Sequence, residues 1–218
     1  MAIPQPEGFL ALPPSGTGSG VLLLHAWWGL NDTIKGFCNQ LAGAGFMVFA
    51  PDLYHGKVAT DIPGAEALGS ALDNNFLQAR AEVANAAQYL SEHVRTAGND
   101  LAVIAFSLGA YYALDLAASK PELIHSVVLF YGAGDGDFNS SRAAYQGHFA
   151  ENDAYEPQEN IDSMEESLRR AGRPVTFYRY PGTGHWFCEP DRPDAYNPAA
   201  ARLAWERTLT FLKQSAPV

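Results

Sequence analysis

The stretch V-I-A-F-S-L-G-A-Y-Y, Val103 to Tyr112, carries an apolar, strand-like run into a serine and then into a helix-like segment. A-F-S-L-G differs from G-x-S-x-G only in Ala105. That pattern is a sharp strand-to-helix turn that exposes a serine oxygen for nucleophilic attack. The positions two before and two after the serine must be small, because the helix and strand backbones pass close to the turn. One methyl group at Ala105 is compatible with this. A helix opening at Leu108 points its free amides at any negative charge that develops there. The chemistry implied is acyl transfer with Ser107 as the attacking group.

A serine hydroxyl needs a base, and the base needs a carboxylate to orient it. The histidines downstream of Ser107 are His125, His148 and His185. His125 precedes the apolar part of its strand, at the wrong end, and His148 lies inside a strand. His185 follows V-T-F-Y-R-Y-P-G-T-G, in a loop after the last strand that can carry an imidazole over the sheet edge. Asp153, in H-F-A-E-N-D-A-Y-E-P, is the preferred acid because its strand adjoins the one before His185. The alternatives are Asp135 and Asp137 in Y-G-A-G-D-G-D-F, where glycine-flanked aspartates commonly serve turns. The two oxyanion donors expected are the backbone N–H groups of Leu108 and of Trp27 in H-A-W-W-G-L-N. Side chains expected to line the cleft are His25, Trp28, Tyr54, Phe106, Trp186 and Phe187. His25 and His55 match no metal-ligand spacing. Neither a metal nor a cofactor is expected.

These loops need a scaffold, and the apolar runs supply one. Val21–Ala26, F-M-V-F-A-P-D, L-A-V-I-A-F, I-H-S-V-V-L-F-Y, A-Y-Q-G-H-F-A and V-T-F-Y-R-Y read as six strands. Helices are expected from Asn31 or Asp32 to Gly43, from Phe76 to Val94, from Leu108, from Pro157 to Ala171, and from Pro198 to Lys213. Leu53 to Gly69 gives no clear signal. Strands apolar on both faces and alternating with helices mean a mostly parallel sheet, doubly wound, with helices on both faces. In such α/β folds ligands bind outside the carboxyl ends of the strands, where the loops named above fall. No repeat or linker interrupts the 218 residues, so one domain over 1–218 is expected.

Composition narrows the partners. Hydrophobic residues make up 47% and charged residues 17%, the balance of a folded globule. A formal net charge of −10 argues against nucleic acid, which requires a basic face. Cys38 and Cys188 stand far apart and form no C-x-x-C pair, so two reduced structural thiols are expected. The N-terminal segment lacks the basic and apolar regions of a signal peptide, and no apolar run is long enough to span a membrane. A cytoplasmic location is the expectation. The sequence does not set the oligomeric state.

Taken together, W-W-G-L-N, L-A-G-A-G-F-M-V-F-A-P-D-L-Y-H-G, A-F-S-L-G, H-F-A-E-N-D-A-Y-E-P, Y-P-G-T-G-H-W-F and A-W-E-R-T-L-T-F-L resemble the dienelactone hydrolase family of the α/β-hydrolases over nearly the whole chain. The resemblance implies a triad of nucleophile, aspartate and histidine at Ser107, Asp153 and His185. It also marks departures. Well-known members carry cysteine where this chain has Ser107, and glutamate in Q-E-x-x-G where H-A-W-W-G has Ala26. The resemblance implies that this glutamate pairs with the resting thiol, so the two losses are chemically consistent. The family's arginine four residues past the histidine, implied to hold a lactone carboxylate, is replaced by Glu189; Arg192 nearby either compensates or, as the preferred reading, serves the surface. Glu189 is therefore expected to face the substrate and favour neutral esters. The function expected is a serine hydrolase of small carboxylic esters or lactones. The other classes are a non-catalytic ligand-binding protein on the same scaffold, and a thioesterase or amidase with the same triad.

Overall fold

The computed structural model describes residues 4–94 and 100–215; residues 1–3, which open the N-terminal segment read above, lie outside them. Strands β1 (Gly8–Ala11), β2 (Gly20–Leu24), β3 (Met47–Pro51), β4 (Leu101–Phe106), β5 (Ile124–Phe130), β6 (Ala144–Ala150) and β7 (Val175–Tyr180) form one sheet. Their order is β1-β3-β2-β4-β5-β6-β7. Only β1 is antiparallel to its neighbour; the other pairs are parallel. After β2 the chain crosses to β3 on one side and returns to β4 on the other. The carboxyl ends of β2 and β4 are therefore a topological switch point, and Trp27 and Ser107 lie just beyond them.

The six expected strands are present. β2 and β4 are buried along their whole length, as their unbroken apolar sequence requires. Helices α1 (Asp32–Gly43) and α6 (Pro198–Ser215) cover one face of the sheet, around Val21, Leu23, Ile104 and Phe130. Helices α3 (Phe76–His93), α4 (Gly109–Ser119) and α5 (Gln158–Arg170) cover the other, around Leu22, Leu24, Val103 and Leu129. Burial of each such side chain contributes about 1.5–3 kcal/mol. Cys38 and Cys188 are buried free thiols. No helix among the described residues is long and apolar enough to cross a membrane.

Two elements are additions to the sequence reading. β1 is a four-residue, partly exposed edge strand whose extended form depends on pairing with β3. Helix α2 (Ile62–Asn74) occupies part of the stretch without a clear signal. It is capped by Asp61, whose Oδ1 accepts from the Gly64 N–H at 2.8 Å. Gly64 and Gly69 weaken its intrinsic helical signal, whereas Pro63 sits in the first turn, where it is tolerated. Its packing explains it: Ala65 joins one core, Leu72 the other, and Leu68 touches both. Gly69 leaves room for Trp27, because a Cβ there would stand 2.4 Å from the indole Nε1.

Close backbone contacts fix the sheet's working end. A Cβ on Gly109 would lie 2.9 Å from the Leu24 carbonyl oxygen, and one on Gly132 would lie 2.4 Å from that of Ser107. Gly132→Ala is expected to lower stability by about 1–3 kcal/mol, because backbone must move to admit the methyl. Chemical denaturation against the native chain checks this; a change within experimental error would show that the loop after β5 yields freely.

Candidate active site

Ser107 adopts φ 47°, in the left-handed region that L-residues resist. Its N–H donates to the Phe130 carbonyl at 2.9 Å, and its own carbonyl accepts from the Ala110 N–H at 2.8 Å. These bonds and the glycine contacts hold the turn, so the side chain rises from the strand end instead of folding into the core. Ala105, at the first small position of the motif, is wholly buried in β4 without displacing it.

Ser107 Oγ lies 2.9 Å from His185 Nε2. His185 Nδ1 lies 2.8 Å from both carboxylate oxygens of Asp153. With Nδ1–H donating to Asp153, Nε2 is left to accept the serine proton. Asp153 Oδ1 also accepts from the N–H groups of Tyr155 and Glu156, each at 2.9 Å. Burial opposes ionisation of Asp153, but the bonds with His185 and these amides outweigh it and hold its carboxyl below the usual aspartate value. Glu156 in turn accepts from the Ala133 N–H at 2.8 Å, clasping the loop after β5 to the loop after β6. Asp135 and Asp137 are exposed, and Asp137 instead accepts from the Ser140 hydroxyl and N–H. His125 opens β5 at the opposite end of the sheet, and His148 is buried within β6. Among the described residues, no protein acceptor takes the N–H of Trp27 or Leu108.

The family model described as "Dienelactone hydrolase family" matches residues 7–216. The chain belongs to the dienelactone hydrolase family. "Protein usf" of Aquifex pyrophilus is 30% identical over 215 residues, covering 95% of this chain and 93% of that one. A relative in Aquifex aeolicus, named "Putative carboxymethylenebutenolidase", is 30% identical over 217 residues, covering 95% and 92%. The crystal structure titled as a "Putative Dienelactone Hydrolase" from Klebsiella pneumoniae superposes with a TM-score of 0.82 at 24% identity, covering 98% of this chain and 97% of that one. That likeness establishes an α/β-hydrolase fold with a mostly parallel sheet.

Beside His185, this dienelactone hydrolase family member has a cleft of about 510 Å³ lined by Trp28, Tyr155, Trp186, Asp61 and Arg192, among others. Trp28 and Trp186, both named among the expected cleft residues, line this cavity together with His185. Tyr155 was missed; its ring centroid is 5.2 Å from that of His185 and 4.7 Å from that of Trp186. Its position two residues after Asp153 was the available signal. Arg192, for which a compensating and a surface role were both open, is a partly exposed part of the cleft wall, with its guanidinium carbon 3.6 Å from the centre of a Trp28 ring.

Five further expectations need correction. Phe106 points into the core, stacked between Phe37 and Phe130, because successive strand side chains alternate faces. Phe187 is fully buried against Tyr131 and Tyr180. Tyr54 lines a separate cavity of about 240 Å³ with Leu53, Leu68 and Leu72. Glu189, expected to face the substrate, is fully buried and accepts from the Tyr131 hydroxyl at 2.7 Å.

His25, also expected in the cleft, is completely buried and joins two loops. Its Nδ1–H donates to the Ala26 carbonyl at 2.8 Å, and its Nε2 accepts from the Leu53 N–H at 3.3 Å. Burial holds its pKa below the ordinary value, so the ring is neutral and suited to this donor–acceptor role. His25→Ala strips both partners and leaves a cavity beneath the Trp27 loop. The expected loss of stability is about 2–4 kcal/mol, read from urea unfolding; a loss below experimental error would remove the link.

Proposed function

We propose that the protein, acting as one domain, hydrolyses small carboxylic esters or lactones through Ser107, His185 and Asp153. The observation that carries this reading is the continuous relay Ser107 Oγ–His185 Nε2 at 2.9 Å and His185 Nδ1–Asp153 at 2.8 Å. Membership of the dienelactone hydrolase family supports the reaction class. So does the Aquifex aeolicus relative's printed name, since a butenolide is a cyclic ester.

In this mechanism Ser107 Oγ attacks the substrate carbonyl while His185 Nε2 takes its proton. Asp153 holds the Nδ1–H tautomer and stabilises the imidazolium that forms. The amides of Leu108 and Trp27 receive the oxyanion as the tetrahedral intermediate develops. Collapse expels the alkoxide, protonated by His185; in a lactone it stays tethered to the acyl group. Water, deprotonated by His185, then attacks the acyl carbonyl; Ser107 Oγ leaves, regains its proton from His185, and the carboxylic acid is freed. The pairing of Ser107 with Ala26 fits this route: a serine hydroxyl has no resting thiolate-like state and draws its reactivity from the imidazole.

The cleft wall also bears on substrate charge. Asp61, Asp191 and Asp194 line it against one arginine, and Arg192 already meets Asp191 at 3.2 Å. A bound carboxylate would face more like charge than opposite charge.

Ser107→Ala is expected to lower ester hydrolysis at least about 10³-fold with the fold intact, and Asp153→Asn about 10²–10⁴-fold, while the same change at Asp135 or Asp137 costs little. Steady-state kinetics with melting curves test both points, and an organophosphonate should label the peptide containing Ser107. Undiminished turnover in the alanine variant would end the nucleophile assignment. For two esters that differ only in a carboxylate against its methyl ester, the neutral one is expected to have the higher kcat/KM at low and high salt. Preference for the anion at both salts would show that Arg192 governs the cleft.

A further inference from the structure

Glu189 is wholly enclosed, yet it belongs to the loop that carries His185. Its Oε1 accepts from the Tyr131 hydroxyl at 2.7 Å, and its N–H donates to the Trp186 carbonyl at 2.8 Å. Tyr131 is equally buried, and its ring centroid lies 5.0 Å from the His185 imidazole. The Tyr131 N–H is held in turn by the His148 carbonyl at 2.8 Å, at the end of the sheet. Two residues in this unit have left-handed backbones: Tyr131 at φ 39° and Trp186 at φ 63°. Neither is glycine, so surrounding contacts must sustain both conformations. Glu189 contacts both residues.

We propose that Glu189 is a positioning residue for His185: by anchoring Tyr131 and closing the Trp186 turn, it sets the plane of the imidazole facing Ser107. The inference rests on His185 being the general base. Glu189 touches no reacting atom and acts through the tyrosine ring.

The same enclosure gives the loop a pH limit, because an ionised Glu189, though a stronger acceptor for Tyr131, would be a buried charge whose Oε2 has no protein partner among the described residues. Burial raises the Glu189 carboxyl to about 8, although the Tyr131 hydrogen bond and the Arg192 charge favour its ionised form and Asp191 disfavours it. The groups facing it are Tyr131 from the end of β5 and Cys188, Asp191 and Arg192 from its own loop. Tyr131 and Cys188 are pushed far above their ordinary values by burial, so neither titrates in this range. Glu189 Oε2 and Arg192 Nε are both buried without a protein partner among the described residues. An ionised Glu189 would need Arg192, which now lies over Trp28 and pairs with Asp191. With the folded value above the unfolded one, the stabilising contribution is complete below about 4.5 and is lost as pH rises through about 8.

The test compares native protein, Glu189→Gln, Glu189→Ala and Tyr131→Phe with a neutral aryl acetate from pH 6 to 10, each with a melting curve. Glu189→Ala and Tyr131→Phe are expected to lower kcat about 10- to 100-fold with little change in KM, as misplacement of a catalytic group does. Glu189→Gln keeps an acceptor for Tyr131 but cannot ionise. It should restore most of the activity lost in the alanine variant and hold kcat above pH 8, where the native enzyme declines. The same alkaline midpoint in Glu189→Gln and native protein, or native kcat in a folded Glu189→Ala, would overturn the proposal. If Glu189→Ala does not fold, the Gln profile decides alone. Ser107→Ala separates the two readings: hydrolysis surviving that change overturns the triad and this inference together, whereas loss there with unaltered Glu189 profiles overturns this inference only.

Discussion

The left-handed backbone of Ser107 is the constraint around which the molecule is arranged. An L-residue adopts this conformation at a cost of roughly 1–2 kcal/mol, so it persists only where its neighbours leave no alternative. Here β4 enters as a fully buried strand, α4 leaves at once, and Phe130 of the adjacent strand accepts the Ser107 N–H. Gly109 and Gly132 allow three stretches of backbone to approach more closely than any side chain would permit. The central position of β4 in the sheet matters because both neighbours brace the turn.

Around that turn the fold pushes two buried carboxyl groups in opposite directions. Asp153 receives the imidazole N–H and two backbone N–H groups, so its carboxylate is favoured despite burial. Glu189 receives one hydroxyl and is driven toward the neutral acid. Desolvation is the largest effect on both and is greater at the deeper Glu189; at Asp153 the hydrogen bonds together with the His185 charge outweigh it. Burial likewise keeps His148 neutral, with its pKa held down at about 3, where Tyr180, Gln146 and Thr208 satisfy the ring. Of the three downstream histidines, only His185 reaches Ser107.

Much of this was legible in the sequence because its signals are local. Strands buried on both faces announce themselves by unbroken apolar runs, as β4 does before the serine, whereas the aspartate and the histidine follow β6 and the partly exposed β7, which carry polar residues. What escaped was set by tertiary packing. Helix α2 is rich in glycine and exists because Leu68 and Leu72 find cores to join. β1 is extended because β3 pairs with it. Phe106 and Phe187 look like cleft aromatics by proximity to Ser107 and His185, yet proximity in sequence does not fix direction. Glu189 misled for a related reason: its position relative to His185 suggested a substrate contact, whereas the Trp186 turn carries its side chain inward.

The relay joins residues distant along the chain. Ser107 and His185 are 78 positions apart, and His185 and Asp153 are 32 apart. Ser107 ends β4, whereas Asp153 follows β6 and His185 follows β7 at the far edge of the sheet. The elbow itself is built from β4, α4 and β5, so it can form while the carboxyl-terminal third is still unpaired. The Ser107–His185 bond cannot form until β6 and β7 have docked in register. Long-range closures of this kind come late, because loop entropy must be overcome before the contact forms. A nascent or truncated chain would thus hold a shaped but unpartnered serine, and the relay would serve as a built-in sensor of the last strand's arrival.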